Sequence, residues 1–291
     1  MRKLVIGIRE GILARKQAQT IMYDILKDNK DVTVELQSIL TKGDELKTGI
    51  QDELEAKGMF VYELIEKVKN NEFDLCVCRL KDFPEDFIDE NIQITYYKRN
   101  AVNDVIIFNK KFLKMYKNVN EAIENIKKIS LSSNVRKLQI KSNIKKVNII
   151  DSRDNIKIRL MNLENGIYDA VLVAKSTIDI IEEKFDYKFS IEEIVPQTYQ
   201  GIVCIVSRKD ELVDVLCKLE DYRTKQMKQY EEYIIKNIKY KIKSVVVVIK
   251  DDFVEISGLV SLDNYNYDKY YLSGNIDNID NLVEEFIQKI N

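Results

Sequence analysis

The chain strongly prefers lysine among its 46 basic residues, and its few arginines include Arg9, Arg136, Arg153 and Arg159. A planar guanidinium fork grips a carboxylate bidentately, whereas a lysine ammonium offers a point charge. Arginines placed against that bias point to a carboxylate-rich molecule; the plainer alternative for the last three is a solvated helix face. Ser132 and Ser133 stand just ahead of Arg136 in ISLSSNVRK, where their hydroxyls can cap a helix, contact an anion, or both. Lys57 and Gly58 either end a loop or join the same site. Lys81 and Asp82 follow the apolar run LCVCRL, which an ordinary strand end would also explain.

Histidine is absent from the 291 residues, which removes imidazole triads and imidazole metal sites. Cys76, Cys78, Cys204 and Cys217 are too few for a disulfide framework, and no CxxC spacing exists to build a zinc site. Cys78 lies four residues before Asp82, yet alternate residues of a buried strand are packing, and cysteine there behaves as a small hydrophobe. Cys204 and Cys217 are read as core in the same way. A net charge of −2 gives no electrostatic case for nucleic acid or a membrane surface. The tail tyrosines Tyr265, Tyr267, Tyr270 and Tyr271 have no basic groove beside them. The opening MRKLVIGIREG is too short an apolar run for a signal peptide, and Val245 to Ile249 is too short to cross a bilayer. A cytoplasmic monomer is expected, with no nucleic-acid or membrane partner.

Periodicity supplies the elements that must position these residues. Leu4 to Ile8 reads as a strand, Leu13, Gln17, Ile21 and Ile25 stripe a helix, and Val32 to Leu40 is a strand. Phe60, Leu64, Ile65 and Val68 stripe a second helix before the strand Asp74 to Leu80. This βαβαβ order predicts a mostly parallel sheet. A second set follows: strands at 105–108, 129–132, 147–150 and 169–173, helices at 155–164 and 176–184, with Gly166 as a left-handed cap. Ile202 to Val206 is a strand able to return to the first set. The last stretch reads as a charged helix over 211–238, strands at 245–249 and 254–259, and a closing helix over 279–290. The fold class is α/β: two similar α/β domains, laid out like periplasmic binding proteins around a cleft, plus a small α+β C-terminal domain. The expected boundaries are 1–98 with 196–220, then 99–195, then 221–291.

Several motifs resemble hydroxymethylbilane synthase (porphobilinogen deaminase). IGIREGILARKQAQ carries Arg9, Leu13, Ala14, Gln17 and Ala18 where that family has them, and TKGD follows at Thr41 to Asp44. KGMFVYEL (57–64) and DLCVCRLKDFP (74–84) match the next two stretches, with Cys78 and Arg79 in place of a His-Ser pair. SLSSNVRKLQI (130–140), RDNIKIRL (153–160), LMNLENGIYDAVLVA (160–174) and PQTYQGIVCIVSR (196–208) extend the resemblance to about residue 210. Beyond that point only the pattern continues. Val135 and Asn103 stand where the family has arginines, and Glu53 where a basic residue is common.

The resemblance implies condensation of four porphobilinogen units head to tail, with release of ammonia at each step, in tetrapyrrole biosynthesis. It places Asp82 at the family's catalytic aspartate, against the pyrrole nitrogens and a developing azafulvene cation. A carboxylate there lowers the barrier most in a dry site. It assigns Arg9, Lys57, Lys81, Ser132, Ser133, Arg136, Arg153 and Arg159 to the acetate and propionate arms of substrate and cofactor. It also implies a dipyrromethane cofactor joined by a thioether to a cysteine of the third domain. The matching region, IKYKIKSVVVV, puts Ile242 at that cysteine, and a thioether needs a thiol. The alternative reading is therefore a non-catalytic homologue that binds a pyrrole or tetrapyrrole precursor through its carboxylates. A third is a stabilising partner of another tetrapyrrole enzyme.

Overall fold

The computed structural model describes residues 1–41, 58–84, 87–144, 146–152, 154–191, 193–240, 242–261 and 266–291. Lys57, Glu53, Arg153, Tyr265 and most of the TKGD stretch lie outside these. Two compact units are present, one formed by Met1–Asn100 with Gly201–Lys225, the other by Ala101–Gln200 with Gln226–Asn291.

The first unit is a five-stranded sheet in the order β2-β1-β3-β10-β4. Its strands are β1 (Arg2–Arg9), β2 (Val32–Ile39), β3 (Leu75–Arg79), β4 (Ile92–Tyr97) and β10 (Val203–Arg208). Helices α1 (Ile12–Asp28) and α2 (Tyr62–Lys69) supply the crossovers. The helical stripe of α1 buries Ala18, Ile21 and Ile25 on Leu4, Ile6 and Ile8 of β1. Each fully buried Ile or Leu there contributes roughly 1.5–3 kcal/mol before entropy is subtracted. The sheet is mixed, not mostly parallel. β1 is parallel to β2 and β3, but β10 runs antiparallel between β3 and β4. A strand that returns from residue 203 needs no crossover helix of its own, so nothing forces it to be parallel.

The second unit repeats this plan in the order β7-β6-β8-β5-β9, again with a parallel core and two antiparallel pairs. Its strands are β5 (Asp104–Phe108), β6 (Lys128–Leu131), β7 (Asn148–Asp151), β8 (Ala170–Ala174) and β9 (Lys188–Ile191). The helices are α3 (Lys110–Leu113), α4 (Val119–Glu124), α5 (Asn134–Asn143), α6 (Ile156–Glu164) and α7 (Lys175–Ile181). Gly166 has φ +74° and ends α6, its N–H bonded to the Leu163 carbonyl.

The charged stretch expected as one helix is two, α8 (Val213–Leu216) and α9 (Tyr222–Asn237). Asp221 makes the break, its Oδ1 accepting from the Thr224 amide at 2.6 Å as an N-cap. Cys217 falls in that break and is exposed, contrary to the core placement expected for it. An antiparallel meander follows, β11 (Ile242–Lys250), β12 (Phe253–Ser261) and β13 (Tyr267–Asn275), closed by α10 (Ile279–Ile290). Ile234, Val245, Val247, Ile256, Val283 and Phe286 form its core. Glu231, buried on α9, accepts the amides of Tyr199 and Val247 and so ties the meander to the segment after the larger sheet.

Candidate functional site

Parallel strands leave their C-terminal ends along one edge of a sheet, where α/β proteins collect ligand-binding side chains. In the first unit β1 and β3 bring Arg9 and the Arg79–Asp82 segment to one such edge. Asp82 ends a 3₁₀ turn, Leu80–Asp82, that leaves β3 directly. Its carbonyl accepts from the Gly58 amide at 2.9 Å, which joins the KGMF and KDFP motifs. Gly58 has φ +91°, and a Cβ there would sit 2.4 Å from Cε2 of Tyr62 and 3.1 Å from Cγ of Pro84. Gly58→Ala is expected to destabilise the chain by about 1–3 kcal/mol, read as a lower urea midpoint at unchanged m-value.

The Asp82 carboxylate is paired. Arg79 donates to Oδ2 from Nε at 2.8 Å, and its Nη2 lies 2.7 Å from the same oxygen as an ion-pair contact. Oδ1 accepts no hydrogen bond from a described residue. The Arg9 guanidinium lies over the Phe60 ring, 3.8 Å from its centroid, a cation–π contact that fixes the head of the side chain. Lys81 is half-buried in the same turn. Nearby in sequence and space, Phe83 and Phe87 pack edge to face.

In the second unit the corresponding edge holds Ser132, Ser133, Arg136 and Arg159. Arg136 is buried and uses its fork on Asp104, Nε to Oδ2 and Nη2 to Oδ1, both at 2.7 Å. Nη2 also reaches Gln200 Oε1 at 2.9 Å, and the Gln200 amide bonds Asp104 and the Val102 carbonyl. This charge pair is dry and hydrogen-bonded on several sides, as a buried pair must be.

Arg159 differs. It is 6% exposed, and among the described residues it donates only to neutral oxygens. These are Ser130 Oγ at 3.1 Å, the Ser130 carbonyl at 2.9 Å and the Leu172 carbonyl at 3.2 Å. Burial, then the nearby charge of Arg136, pull its pKa down to about 10. That still leaves it cationic at neutral pH. Three residues after Ser130, Ser133 is the N-cap of α5 but makes no side-chain cap bond, and its buried Oγ has no hydrogen-bond partner. Ser132 is half-buried beside it. A cation with no carboxylate hydrogen-bonded to it among the described residues, an orphaned hydroxyl and a helix N-terminus all favour an incoming anion.

All four thiols lie in the first unit. Cys76, Cys78 and Cys204 are buried in its sheet, with Cys76 and Cys78 Sγ atoms 3.7 Å apart. The neighbouring thiol and burial hold Cys76 well above the ordinary thiol range. The second unit, which carries the meander and Ile242, has no cysteine. Among the described residues no cluster of three ligating side chains could hold a metal ion, and no helix is long and apolar enough to cross a membrane.

Residues 4–213 match the family model described as porphobilinogen deaminase, dipyromethane cofactor binding domain. The chain belongs to the porphobilinogen deaminase family. It is 32% identical to porphobilinogen deaminase of Acetivibrio thermocellus over 221 residues, 75% of this chain and 73% of that one. It is 29% identical to porphobilinogen deaminase of Clostridium novyi over 274 residues, 90% and 89% of the two chains. A solved BenM effector binding domain with its effector benzoate aligns at 16% identity and TM-score 0.45, covering 80% of this chain and 94% of that chain.

The porphobilinogen deaminase family cofactor meets a divided site here. Its acidic arms suit Arg159 and the α5 N-terminus, but no thiol stands where the thioether would form. The residues present do not fit a covalently held dipyrromethane. Sequence reasoning passed over Arg79, Asp104 and Ser130 as partners. Only the Arg79–Asp82 spacing of three across a strand end was a readable signal.

Proposed function

We propose that the chain acts on porphobilinogen as a transferase of the hydroxymethylbilane synthase type. Within the second unit, Arg159, Ser133 and the first-turn amides of α5, with Ser132 and Arg153, take acetate and propionate carboxylates of pyrrole units. Asp82 accepts the pyrrole N–H through Oδ1 and steadies the ring as the aminomethyl C–N bond breaks. The electron pair leaves with ammonia, and the charge carried by the ammonium passes to the ring. Within the first unit, Arg9, Lys57 and Lys81 serve the carboxylates of the ring held at Asp82. The free α-carbon of another pyrrole attacks the methylene and loses its proton; after four units water adds to the last methylene, giving hydroxymethylbilane with no thioether to this chain.

The observation that carries this reading is Arg159, a buried cation whose described hydrogen-bond acceptors are all neutral. Its charge-assisted bonds to a carboxylate would each contribute about 1.5–3 kcal/mol. Titration calorimetry with porphobilinogen should give binding that Arg159→Gln weakens by roughly 10–100-fold and Arg159→Lys by less. Incubation should release ammonia and, after oxidation, uroporphyrin fluorescence, while intact mass shows no adduct. Binding unchanged in a folded Arg159→Gln variant would refute the assignment. Binding without ammonia would favour the second reading, a non-catalytic carboxylate binder, for which the missing thiol is the supporting observation.

A further inference from the structure

We infer that Arg79 is a built-in counter-ion that restrains the Asp82 carboxylate and slows any step that brings positive charge to it. The inference rests on Asp82 acting at the pyrrole nitrogen, as proposed above. Arg79 hydrogen-bonds Oδ2 from Nε at 2.8 Å and holds Nη2 2.7 Å from it, the Arg79 side chain being 30% and the Asp82 side chain 17% exposed. Both groups are largely shielded, so their charges compensate at short range and little net negative field remains for a third charge. Oδ1 stays able to accept a neutral N–H.

The two capacities of one carboxylate therefore separate. A hydrogen bond from a neutral pyrrole N–H depends on the lone pairs of Oδ1, which the guanidinium leaves in place. Stabilisation of a ring cation depends on net charge, which the guanidinium offsets, and the two cations repel across the shared carboxylate. As ammonia departs with the C–N bonding pair, positive charge moves from the ammonium onto the ring. Arg79 opposes that arrival more than it opposes binding, so its effect falls on kcat rather than on KM.

A positioning role with the opposite sign is the competing expectation. It is the weaker one, because the turn is already held without Arg79. The Gly58 amide bonds the Asp82 carbonyl, the Phe83 amide bonds the Leu80 carbonyl at 3.0 Å, and the Leu80 amide bonds the Ile202 carbonyl at 3.1 Å. Removing the guanidinium frees only the torsions of one short side chain.

The test compares wild type, Arg79→Ser and Arg79→Lys, each checked for folding by circular dichroism. Ammonia release from porphobilinogen is followed kinetically, and porphobilinogen binding by calorimetry. Arg79→Ser should raise kcat roughly tenfold or more, with KM and Kd within about threefold, after allowing for solvent screening at a partly exposed pair. Arg79→Lys keeps the charge and should stay within about twofold of wild type. A kcat that falls or stays level in Arg79→Ser, with binding intact, overturns this inference alone. A gain of equal size in Arg79→Lys would also overturn it, since charge would then not be the cause. Failure of all three proteins to bind porphobilinogen overturns the functional reading and this inference together.

Discussion

Arg136→Met should cost about 3–5 kcal/mol of folding stability, because it strands the Asp104 carboxylate in a site with no access to water. Asp104 is 0% exposed, and both its oxygens are engaged by the lost fork. Gln200 can bond one oxygen but cannot supply charge. The double variant Arg136→Met with Asp104→Leu removes both charges and should recover most of the loss. Urea unfolding of the two singles and the double gives the coupling directly. Two singles that each cost less than about 1 kcal/mol would show that water reaches the pair.

Asp82→Asn should leave porphobilinogen binding within a few-fold and lower ammonia release by roughly 10²–10⁴-fold. The amide keeps an oxygen able to accept a pyrrole N–H, so recognition persists, but it carries no charge to meet the ring cation. It also releases Arg79, whose unpaired guanidinium then repels that cation outright. Turnover that survives in the variant within tenfold of wild type would remove Asp82 from the chemistry. Asp82→Asn and Arg79→Ser are thus expected to move kcat in opposite directions from positions three residues apart.

The parallel cores of both α/β sheets were legible from sequence because their strands are short apolar runs between helices with a 3.6 period. Val32 to Leu40, Asp74 to Leu80 and Asp169 to Val173 each fall within one residue of the observed ends. The antiparallel edges were not legible. β4 and β9 mix apolar with polar residues, and β13, YDKYYLSGN, alternates between exposed and half-buried positions. Such strands are defined by the neighbours they pair with, which a local window does not contain. The same limit applies to the candidate site. The arginines could be chosen only through the family motifs that hold them, and the acid that fills the Arg136 fork lies 32 positions upstream. Nothing in the spacing distinguishes that arginine from Arg159, whose described acceptors are all neutral.

The insertion of β10 between β3 and β4 constrains the order of assembly during translation. β4 has no partner in its sheet other than β10. A nascent chain that has emerged only as far as residue 200 therefore holds β4 without a ladder and β3 with one open side. The sheet of the intervening hundred residues has all its strands by then, while the first sheet is completed only when β10 docks.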